Sequence, residues 1–515
     1  MIENSRLYNS LRNIFYGILK YTISFIFPFI IRTIMIKKFG SEYTGLGSLF
    51  SSILQVLNLS ELGFSSAVVF SLYEPIAQND LTKISALMLF YKKIYRIVGI
   101  VIASIGIIIC PFISFFISGS YPRDINIYFL FLMFLANTVL SYVFYGYKSA
   151  LLVANQRIDI ENKVQIISNL VCYFLQMLVL LFIRNYYIYV IAIIFGTIIN
   201  NIMLCLISKK IFPEIKEAGI LSKEEQKNIY RNVKALIGHQ LDAVIINSAD
   251  SIIISAFLGL KVLMVYDNYN YIINAIISIT IIISNAFLAS IGNSIVLYDE
   301  KKNFSNFKLF HYIFYIIGMF CVCMLLILYQ DFMCLWMGKN MLLPFSTVIC
   351  LVFSFYVRQI RRIVLTYKNA TGNWSGDMLK PYISAVVNLI INIILVKIIG
   401  LNGVIISTIF CLLIIEAPWE ARVIFKNYFK QSIKPYVFNN LIYGLKTVIV
   451  ASVLVYIFHF FTVITLIGFC VKTIFAVFGT LFMCFLFNFM DSEFIKFSIF
   501  VKEKILHRRK GIKND

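Results

Sequence analysis

Carboxylates recur inside stretches of this sequence that are otherwise apolar. Asp250 and Asp267 each lie within such a stretch, and Glu61 lies near the end of another. A charged carboxylate in an apolar layer costs about 3 kcal/mol on insertion scales, so such residues usually face a watery cavity, a substrate or an ion. We predict that Asp250 and Glu61 take part in coupling to H⁺ or Na⁺, and that Asp267 lines a cavity. The alternative for Asp267 is plain solvation near the outer surface.

Neutral polar residues follow the carboxylates at helical spacing. Asn270, Asn274 and Asn285 fall on the same helical face as Asp267, and Gln55 and Asn58 share a face of an earlier helix. These stripes predict a substrate cavity lined by Gln55, Asn58, Asn247, Asp267, Asn270, Asn274 and Asn285. Hydrogen bonding between packed helices is an equally ready explanation for Asn and Ser, including Ser384, Asn388 and Asn392.

The first apolar stretch carries two arginines, Arg12 near its beginning and Arg32 near its end. A guanidinium group can bind an anionic headgroup, and we include both arginines among the candidate substrate-binding residues. The alternative is simple anchoring at the two membrane interfaces.

Signatures of catalysis are absent from the sequence. It contains no Walker A motif, no HExxH, no GxSxG and no zinc-type cluster of cysteine and histidine. Ten cysteines lie mostly in apolar runs, without a CxxC pair, and are interpreted as small reduced side chains. We therefore expect neither an enzyme nor a bound cofactor or metal, apart from the coupling ion.

Composition shows which elements position these residues. The 515 residues are 60% hydrophobic and 14% charged, with a mean hydropathy of +0.85. Such a chain is an integral membrane protein with room for a dozen or more helices of about 20 apolar residues. Periodicity predicts about fourteen spans: 14–35, 45–70, 94–118, 125–146, 164–183, 187–207, 236–258, 262–288, 309–329, 342–357, 380–398, 403–424, 439–459 and 464–489. The loops between them are too short to hold a separate nucleotide-binding domain.

Charge placement predicts the orientation of the chain. With both termini in the cytoplasm, the inner segments hold 35 lysines and arginines and the outer turns hold seven. This bias follows the positive-inside rule. It also accounts for the net charge of +21 through topology and anionic lipids, so no nucleic acid partner is required.

The spans fall into two sets around the longest hydrophilic segment. We predict an all-α polytopic membrane protein with two pseudo-symmetric six-helix lobes and an extra helix pair. The predicted parts are 1–207 (amino-terminal lobe), 208–235 (cytoplasmic linker with a charged amphipathic helix), 236–437 (carboxy-terminal lobe), 438–489 (extra pair) and 490–515 (basic cytoplasmic tail). Three outward hairpins share a glycine at the turn, at Gly40, Gly259 and Gly400. Prolines 28, 111 and 418 are expected to bend their helices.

Several segments resemble the Wzx-type oligosaccharide flippases of the polysaccharide biosynthesis family. The strongest is the run from Arg32 to Ala77, which contains FGSEYTGLGSLFSS. Further similar segments are VYDNYNYI (265–272), ASIGNSI (289–295), LWMG (335–338) and GLNGVIISTI (400–409). Together they extend the resemblance to about Tyr436.

The resemblance implies membership of the multidrug/oligosaccharidyl-lipid/polysaccharide exporter superfamily, with two lobes around a central cavity and alternating access. The implied substrate is an undecaprenyl-pyrophosphate-linked oligosaccharide, moved to the outer leaflet of the bacterial cytoplasmic membrane for capsule, O-antigen or exopolysaccharide assembly. A polymerase and export machinery are the implied partners. Similar lipid II flippases carry cavity arginines, one of them on the eighth helix. Residues 262–297 here contain no arginine or lysine, so the resemblance points to Arg12 and Arg32.

Three other functions are alternatives to an oligosaccharide flippase. A lipid II flippase for peptidoglycan would act on the same carrier lipid. A multidrug or cation antiporter would share the fold but favour a more aromatic and acidic pocket. A polysaccharide polymerase is disfavoured because the outer turns are too short to hold its chemistry.

Overall fold

The computed structural model describes residues 2–58, 64–144, 146–373, 375–463 and 465–499. Within these residues the regular secondary structure is helical and contains no strand. Among the described residues, ten helices are long and apolar enough to cross a membrane, or eleven if one bent pair forms a single span. The chain is therefore an all-α integral membrane protein, as the composition predicts.

Two compact units make up the chain, Met1–Asp267 and Asn268–Asp515. The first unit contains α1 (Ile2–Lys38), α2 (Ser41–Leu57), α3 (Phe64–Ala77), α4 (Leu81–Ile109), α5 (Ile127–Val143), α6 (Ser149–Ala154), α7 (Ile158–Leu178), α8 (Tyr186–Ile211) and α9 (Lys223–Leu258). Helix α10 (Leu260–Leu297) begins in the first unit and continues into the second. The second unit also contains α11 (Glu300–Met337), α12 (Phe345–Thr371), α13 (Lys380–Ile399), α14 (Leu401–Phe410), α15 (Ala417–Ile424), α16 (Lys434–His459) and α17 (Leu466–Asn488).

All fourteen predicted spans overlap helical segments, but the count of fourteen is not confirmed. The second predicted span falls on two shorter helices, α2 and α3. The tenth falls on α12, where Arg358, Arg361 and Arg362 make the helix too charged to qualify by composition. In the seventh, the described apolar portion is Ser248–Leu258. The predicted lobes and helix pair stay predictions.

Glycine allows three of the sharp turns between consecutive helices. Gly40, Gly259 and Gly400 have φ angles of 103°, 87° and 59° and separate α1 from α2, α9 from α10 and α13 from α14. Side chains with a Cβ rarely adopt this region, so glycine is the natural residue at each position. The glycine predicted at the three hairpins is therefore required by the backbone.

Two of the three prolines coincide with a departure from α-helical hydrogen bonding. Pro28 lies inside the continuous helix α1. After α4, Pro111 lies in a 3₁₀ segment, Cys110–Phe116, and Pro418 follows a π-helical segment, Cys411–Glu416. Because proline lacks an N–H and its ring collides with the preceding turn, the hydrogen-bond pattern changes at these two positions.

The charged linker does not form a separate helix. After α8 ends at Ile211, the chain is irregular until Ser222, which begins α9 with a capping box. The hydroxyl of Ser222 accepts from the N–H of Glu225, and the Glu225 carboxylate accepts from the N–H of Ser222. The predicted amphipathic helix is therefore the first part of α9 and is continuous with the predicted seventh span.

Each unit has its own packed interior. In the first unit, α1 packs along α7, α4 along α5, and α2 along α9. In the second, aromatic side chains of α11, α12 and the α15 region form a core that includes Phe307, Phe314, Tyr367 and Phe425. Helices α16 and α17 both pack on α11. These contacts fix the helices on which the polar residues lie.

Candidate functional site

Four helices of the first unit bring polar side chains around Asp267. The Asp267 carboxylate, at the end of the first unit on α10, has side-chain hydrogen bonds with Ser48 of α2 and Ser251 of α9. The guanidinium group of Arg32 on α1 lies close enough for an electrostatic interaction with it. We call Arg32, Ser48, Ser251 and Asp267 the Asp267 cluster. It brings together two predicted site residues, Arg32 and Asp267, whose charges interact.

The hairpin of α9 and α10 explains part of this arrangement. Ser251 and Asp267 are equally far in sequence from the turn at Gly259, so an antiparallel pair of helices places them at the same depth. One residue earlier on each helix, the hydroxyl of Tyr266 donates to Oδ2 of Asp250 at 3.4 Å. The close approach of α2 to this hairpin depends on Gly45, where an added Cβ would lie 2.4 Å from the carbonyl oxygen of Leu260.

Asp250 is the more deeply buried of the two carboxylates. Its exposed fraction is 4%, whereas Asp267 is half-buried. Close by on α9, the hydroxyl of Ser248 donates to Oε1 of Gln55 on α2 at 3.2 Å. A buried carboxylate beside a phenol can exchange a proton. The role of Asp250 in ion coupling stays a prediction.

The other predicted residues of the second and seventh spans are only partly described. Asn58 caps the end of α2, and its Oδ1 is buried without a hydrogen-bond partner among the described residues. Glu61 lies outside the described residues. Asn247 lies in α9, but its side chain is also outside the described set.

Three predicted residues lie on the part of α10 that belongs to the second unit. Asn270 is half-buried, and Asn274 and Asn285 are exposed on this unit. The buried polar positions of the same helix are different ones, and the hydroxyl of Ser284 lies 2.6 Å from that of Thr366 on α12. The exposed asparagines are therefore not used to pack this unit, and their role in a cavity stays a prediction.

Arg12 has a different environment from Arg32. The two arginines are 20 residues apart on the continuous helix α1, which corresponds to about 30 Å. Nε of Arg12 lies 3.0 Å from Oδ2 of Asp159 on α7, and Nη2 lies 3.2 Å from Oδ1. The structure therefore places the two predicted cationic residues in separate sites.

A buried ion network in the second unit was not predicted from the sequence. Arg361 of α12 contacts Glu416 at 2.5 Å and Glu420 at 2.9 Å. Lys380 contacts Glu420, and Lys368 contacts Asp377, both at 2.5 Å. We call these six residues the Arg361 network, and none is more than 6% exposed. Three positive and three negative charges balance, so the network can remain in an apolar interior.

A signal for this network is present in the sequence. Glu416 and Glu420 are four positions apart on either side of Pro418, and Arg361 lies in the basic segment that follows the tenth predicted span. The sequence pattern did not indicate that α12 packs against the α14–α15 segment. The stripe Ser384, Asn388 and Asn392 belongs to the same packing.

The α13 stripe is fully buried between helices. Ser384 donates to Glu416 at 2.9 Å, and Asn388 donates to Thr408 of α14 at 3.3 Å. Asn392 donates to Asn388 at 3.4 Å. These contacts match the packing explanation of polar stripes.

Chemically, the Asp267 cluster can attract a charged or hydroxyl-rich group, and Asp250 can exchange a proton. Within the described part of the chain, no group of three or more histidine, cysteine, aspartate or glutamate residues is arranged to hold a metal ion.

Comparison with known proteins gives matches in structure. No protein-family model matches the chain, and no curated protein sequence matches it. An inward-facing multidrug resistance MATE family transporter of the MOP superfamily matches with a TM-score of 0.62 and 13% identity, covering 78% of this chain and 94% of its own.

Two further solved structures show the same likeness. The lipid II flippase MurJ, in an inward closed conformation, matches with a TM-score of 0.61 and 16% identity over 92% of this chain and 98% of its own. A mutant of the Vibrio cholerae MATE transporter VcmN matches with a TM-score of 0.55 and 12% identity over 83% and 100%. These neighbours are transporters and a flippase rather than enzymes. The chain therefore has the fold that MATE transporters share with the lipid II flippase MurJ.

Proposed function

We propose that this protein flips undecaprenyl-pyrophosphate-linked oligosaccharide repeat units from the inner to the outer leaflet of the bacterial cytoplasmic membrane. The repeat units would serve capsule, O-antigen or exopolysaccharide assembly, with a polymerase and export machinery as partners. The observation that carries the proposal is the Asp267 cluster, a carboxylate that interacts with a guanidinium group and two hydroxyls, in a fold shared with the lipid II flippase MurJ.

The proposed mechanism is alternating access without catalysis. The sugar headgroup is too polar for hydrocarbon and enters a polar cavity, with Gln55 and Asn58 among its proposed lining residues, while the polyprenyl chain remains in lipid. Arg32 supplies a positive charge within this cavity. The bias of 35 to seven in basic residues supports cytoplasmic positions for both termini.

Coupling to H⁺ or Na⁺ is the second element of the proposal. Asp250 is the titrating or ion-binding group, since it is the most buried of the predicted carboxylates that the structure describes. Glu61 is the other carboxylate assigned to this role. Protonation of a buried carboxylate removes its charge and so changes which conformation is favoured.

A gene deletion tests the proposal directly. We expect lipid-linked oligosaccharide to accumulate on the cytoplasmic leaflet and surface polymer to be lost. The Asp250→Asn variant, reconstituted with an imposed ion gradient, is expected to flip without responding to the gradient. Normal surface polymer in the deletion strain would contradict the proposal, and unchanged ion dependence in both Asp250→Asn and Glu61→Gln would contradict the coupling.

A lipid II flippase is the second candidate function. The observation in its favour is that the match to MurJ covers 92% of this chain, against 78% for the MATE transporter. Rescue of a strain depleted of its own lipid II flippase would favour this function. Altered drug tolerance with normal polymer would instead favour a multidrug antiporter.

A further inference from the structure

Three cationic side chains converge on one carboxylate where the beginning of α7 packs against the first part of α1. Arg12 lies 3.0 Å from Asp159, Nε of Arg157 lies 3.2 Å from it, and Nζ of Lys163 lies 3.8 Å from it. We call these four residues the Asp159 cluster. Nζ of Lys163 also lies 4.4 Å from the centre of the Tyr16 ring. The cluster therefore combines several N–H donors with an aromatic face.

The charges of the Asp159 cluster do not balance. One carboxylate neutralises one cation, so the four residues carry a net charge of about +2 at neutral pH. Glu161 interacts with the nearby Lys20, so these two neighbours add no net negative charge to the cluster. Among the side chains described on α1 and the first turns of α7, the excess of positive charge therefore remains.

Exposure differs between the carboxylate and the cations. The side chain of Asp159 is fully buried, whereas those of Arg12, Arg157 and Lys163 are 22%, 34% and 41% exposed. The buried carboxylate thus contacts the cations from inside the protein, and part of each cationic side chain is exposed at the surface. A general excess of positive charge on one side of a membrane predicts scattered residues and does not require this convergence.

Backbone contacts fix the cluster in place. The N–H of Asp159 donates to Oδ1 of Asn13 at 2.8 Å, and the amide of Asn13 donates to the carbonyl oxygen of Gln156 at 3.2 Å. The candidate membrane spans of these helices begin at Phe15 and Ile158. The cluster therefore lies at the edge of the apolar layer, at the level of lipid headgroups.

We propose that the Asp159 cluster binds the phosphate group of a lipid in the adjoining leaflet. Arginine donors match phosphate oxygens in pairs, and lysine adds a point charge. The phosphate can come from an anionic glycerophospholipid or from the diphosphate of the transported lipid. The second source rests on the proposed function, whereas the first does not.

Lipid binding to the purified full-length protein tests this assignment. Native mass spectrometry in a zwitterionic detergent would measure the affinity for short-chain phosphatidylglycerol, farnesyl diphosphate and, as a neutral reference, short-chain phosphatidylcholine. The test variant is Arg157→Gln with Lys163→Gln, which keeps the Arg12 and Asp159 pair. The matched control is Lys209→Gln with Lys210→Gln, which removes two exposed charges from the end of α8.

The test variant is expected to bind the phosphate probe roughly 10- to 30-fold more weakly, since each basic residue near an anionic headgroup contributes about 1 kcal/mol. Arg157→Lys with Lys163→Arg should retain binding, which separates loss of charge from loss of folding. If the test variant loses binding of farnesyl diphosphate alone, the ligand of the Asp159 cluster is the transported lipid. If it loses binding of phosphatidylglycerol, with or without loss of the diphosphate, the ligand is a membrane phospholipid. Equal binding by wild type and test variant, or an equal loss in the α8 control, would overturn the proposal even if flipping itself were demonstrated.

Discussion

Arg361 is held on both carboxylate oxygens of Glu420, with Nε 3.1 Å from Oε2 and Nη2 2.9 Å from Oε1. Arg361 is 6% exposed and Glu420 is 1% exposed. The pair joins α12 to the α14–α15 segment, whose hydrogen-bond pattern changes at Pro418. An ion pair at this depth is strongly destabilised when only one partner is removed, because the other charge stays buried.

Replacing Arg361 is therefore expected to destabilise the second unit. Arg361→Met leaves Glu416 and Glu420 without their shared cation and should cost about 3–5 kcal/mol, measured by thermal unfolding in detergent. Arg358→Met, on the same helix but half-buried and outside the network, should cost less than about 1 kcal/mol. Adding Glu420→Gln to Arg361→Met should recover part of the loss. Equal stability of both single variants would contradict the network.

The Asp267 cluster predicts a separation of stability from transport. Asp267→Asn removes a negative charge that interacts with Arg32 and should cost roughly 1–3 kcal/mol, less than breaking a fully buried ion pair, because both residues are half-buried. The double variant Arg32→Gln with Asp267→Asn should regain most of that stability. Flipping in reconstituted vesicles should remain low in both variants if the cluster serves the substrate. A stable double variant with wild-type flipping would show that the pair is only structural.

Two asparagines with opposite exposure distinguish packing from cavity lining. Asn388→Ala should lower the free energy of unfolding by about 0.6–1.7 kcal/mol, the range for hydrogen bonds between membrane helices, and leave the flipping rate of the folded protein unchanged. Asn274→Ala, at an exposed position, should leave stability unchanged and slow flipping. The reverse pattern would contradict the interpretation of both stripes.

The linker after α8 predicts a dependence of stability on pH. Burial alone would raise the pKa of Glu217. Hydrogen bonds from Lys148, Lys92 and Tyr147 outweigh this effect and lower the pKa from an ordinary 4.5 to about 2. Because the folded-state pKa is the lower one, the stabilisation is fully present above about pH 4.5 and is lost as the pH falls toward 2. Glu217→Gln should lower the melting temperature at neutral pH.

The difference in melting temperature between wild type and Glu217→Gln is the quantity that tests this expectation. It should shrink as the pH falls from about 4.5 toward 2, because the wild-type carboxylate is then protonated as well. Glu214→Gln, an exposed carboxylate in the same segment, is the control and should have little effect. A difference that is constant over this pH window would argue against the ion pairs of Glu217.

Gly45 provides a steric test of the α2 and α10 contact. A Cβ at this position would lie 2.4 Å from the carbonyl oxygen of Leu260, so Gly45→Ala should separate the helices and cost about 1–3 kcal/mol. Gly292→Ala is the matched control, since nothing lies within 4 Å of its added Cβ and alanine favours a helix. Thermal unfolding of the two variants should therefore move in opposite directions or differ by several degrees.

Sequence by itself determined the features that depend on local chain properties. Apolar runs of membrane length predicted the all-α class, and the glycines at positions 40, 259 and 400 predicted turns that the backbone adopts with positive φ. Periodicity also placed Asp267 and Asn274 on helices correctly. These properties follow from hydrophobicity and backbone sterics within one segment, so no knowledge of neighbouring helices is needed.

Tertiary structure alone decided which polar residues are partners. The positions along α1 could not distinguish Arg12, which pairs with Asp159, from Arg32, which interacts with Asp267. Nor could the spacing of Glu416 and Glu420 reveal Arg361, because the pairing joins residues more than 50 positions apart. Charge energies depend on distance and burial, and both are set by helix packing rather than by sequence neighbours.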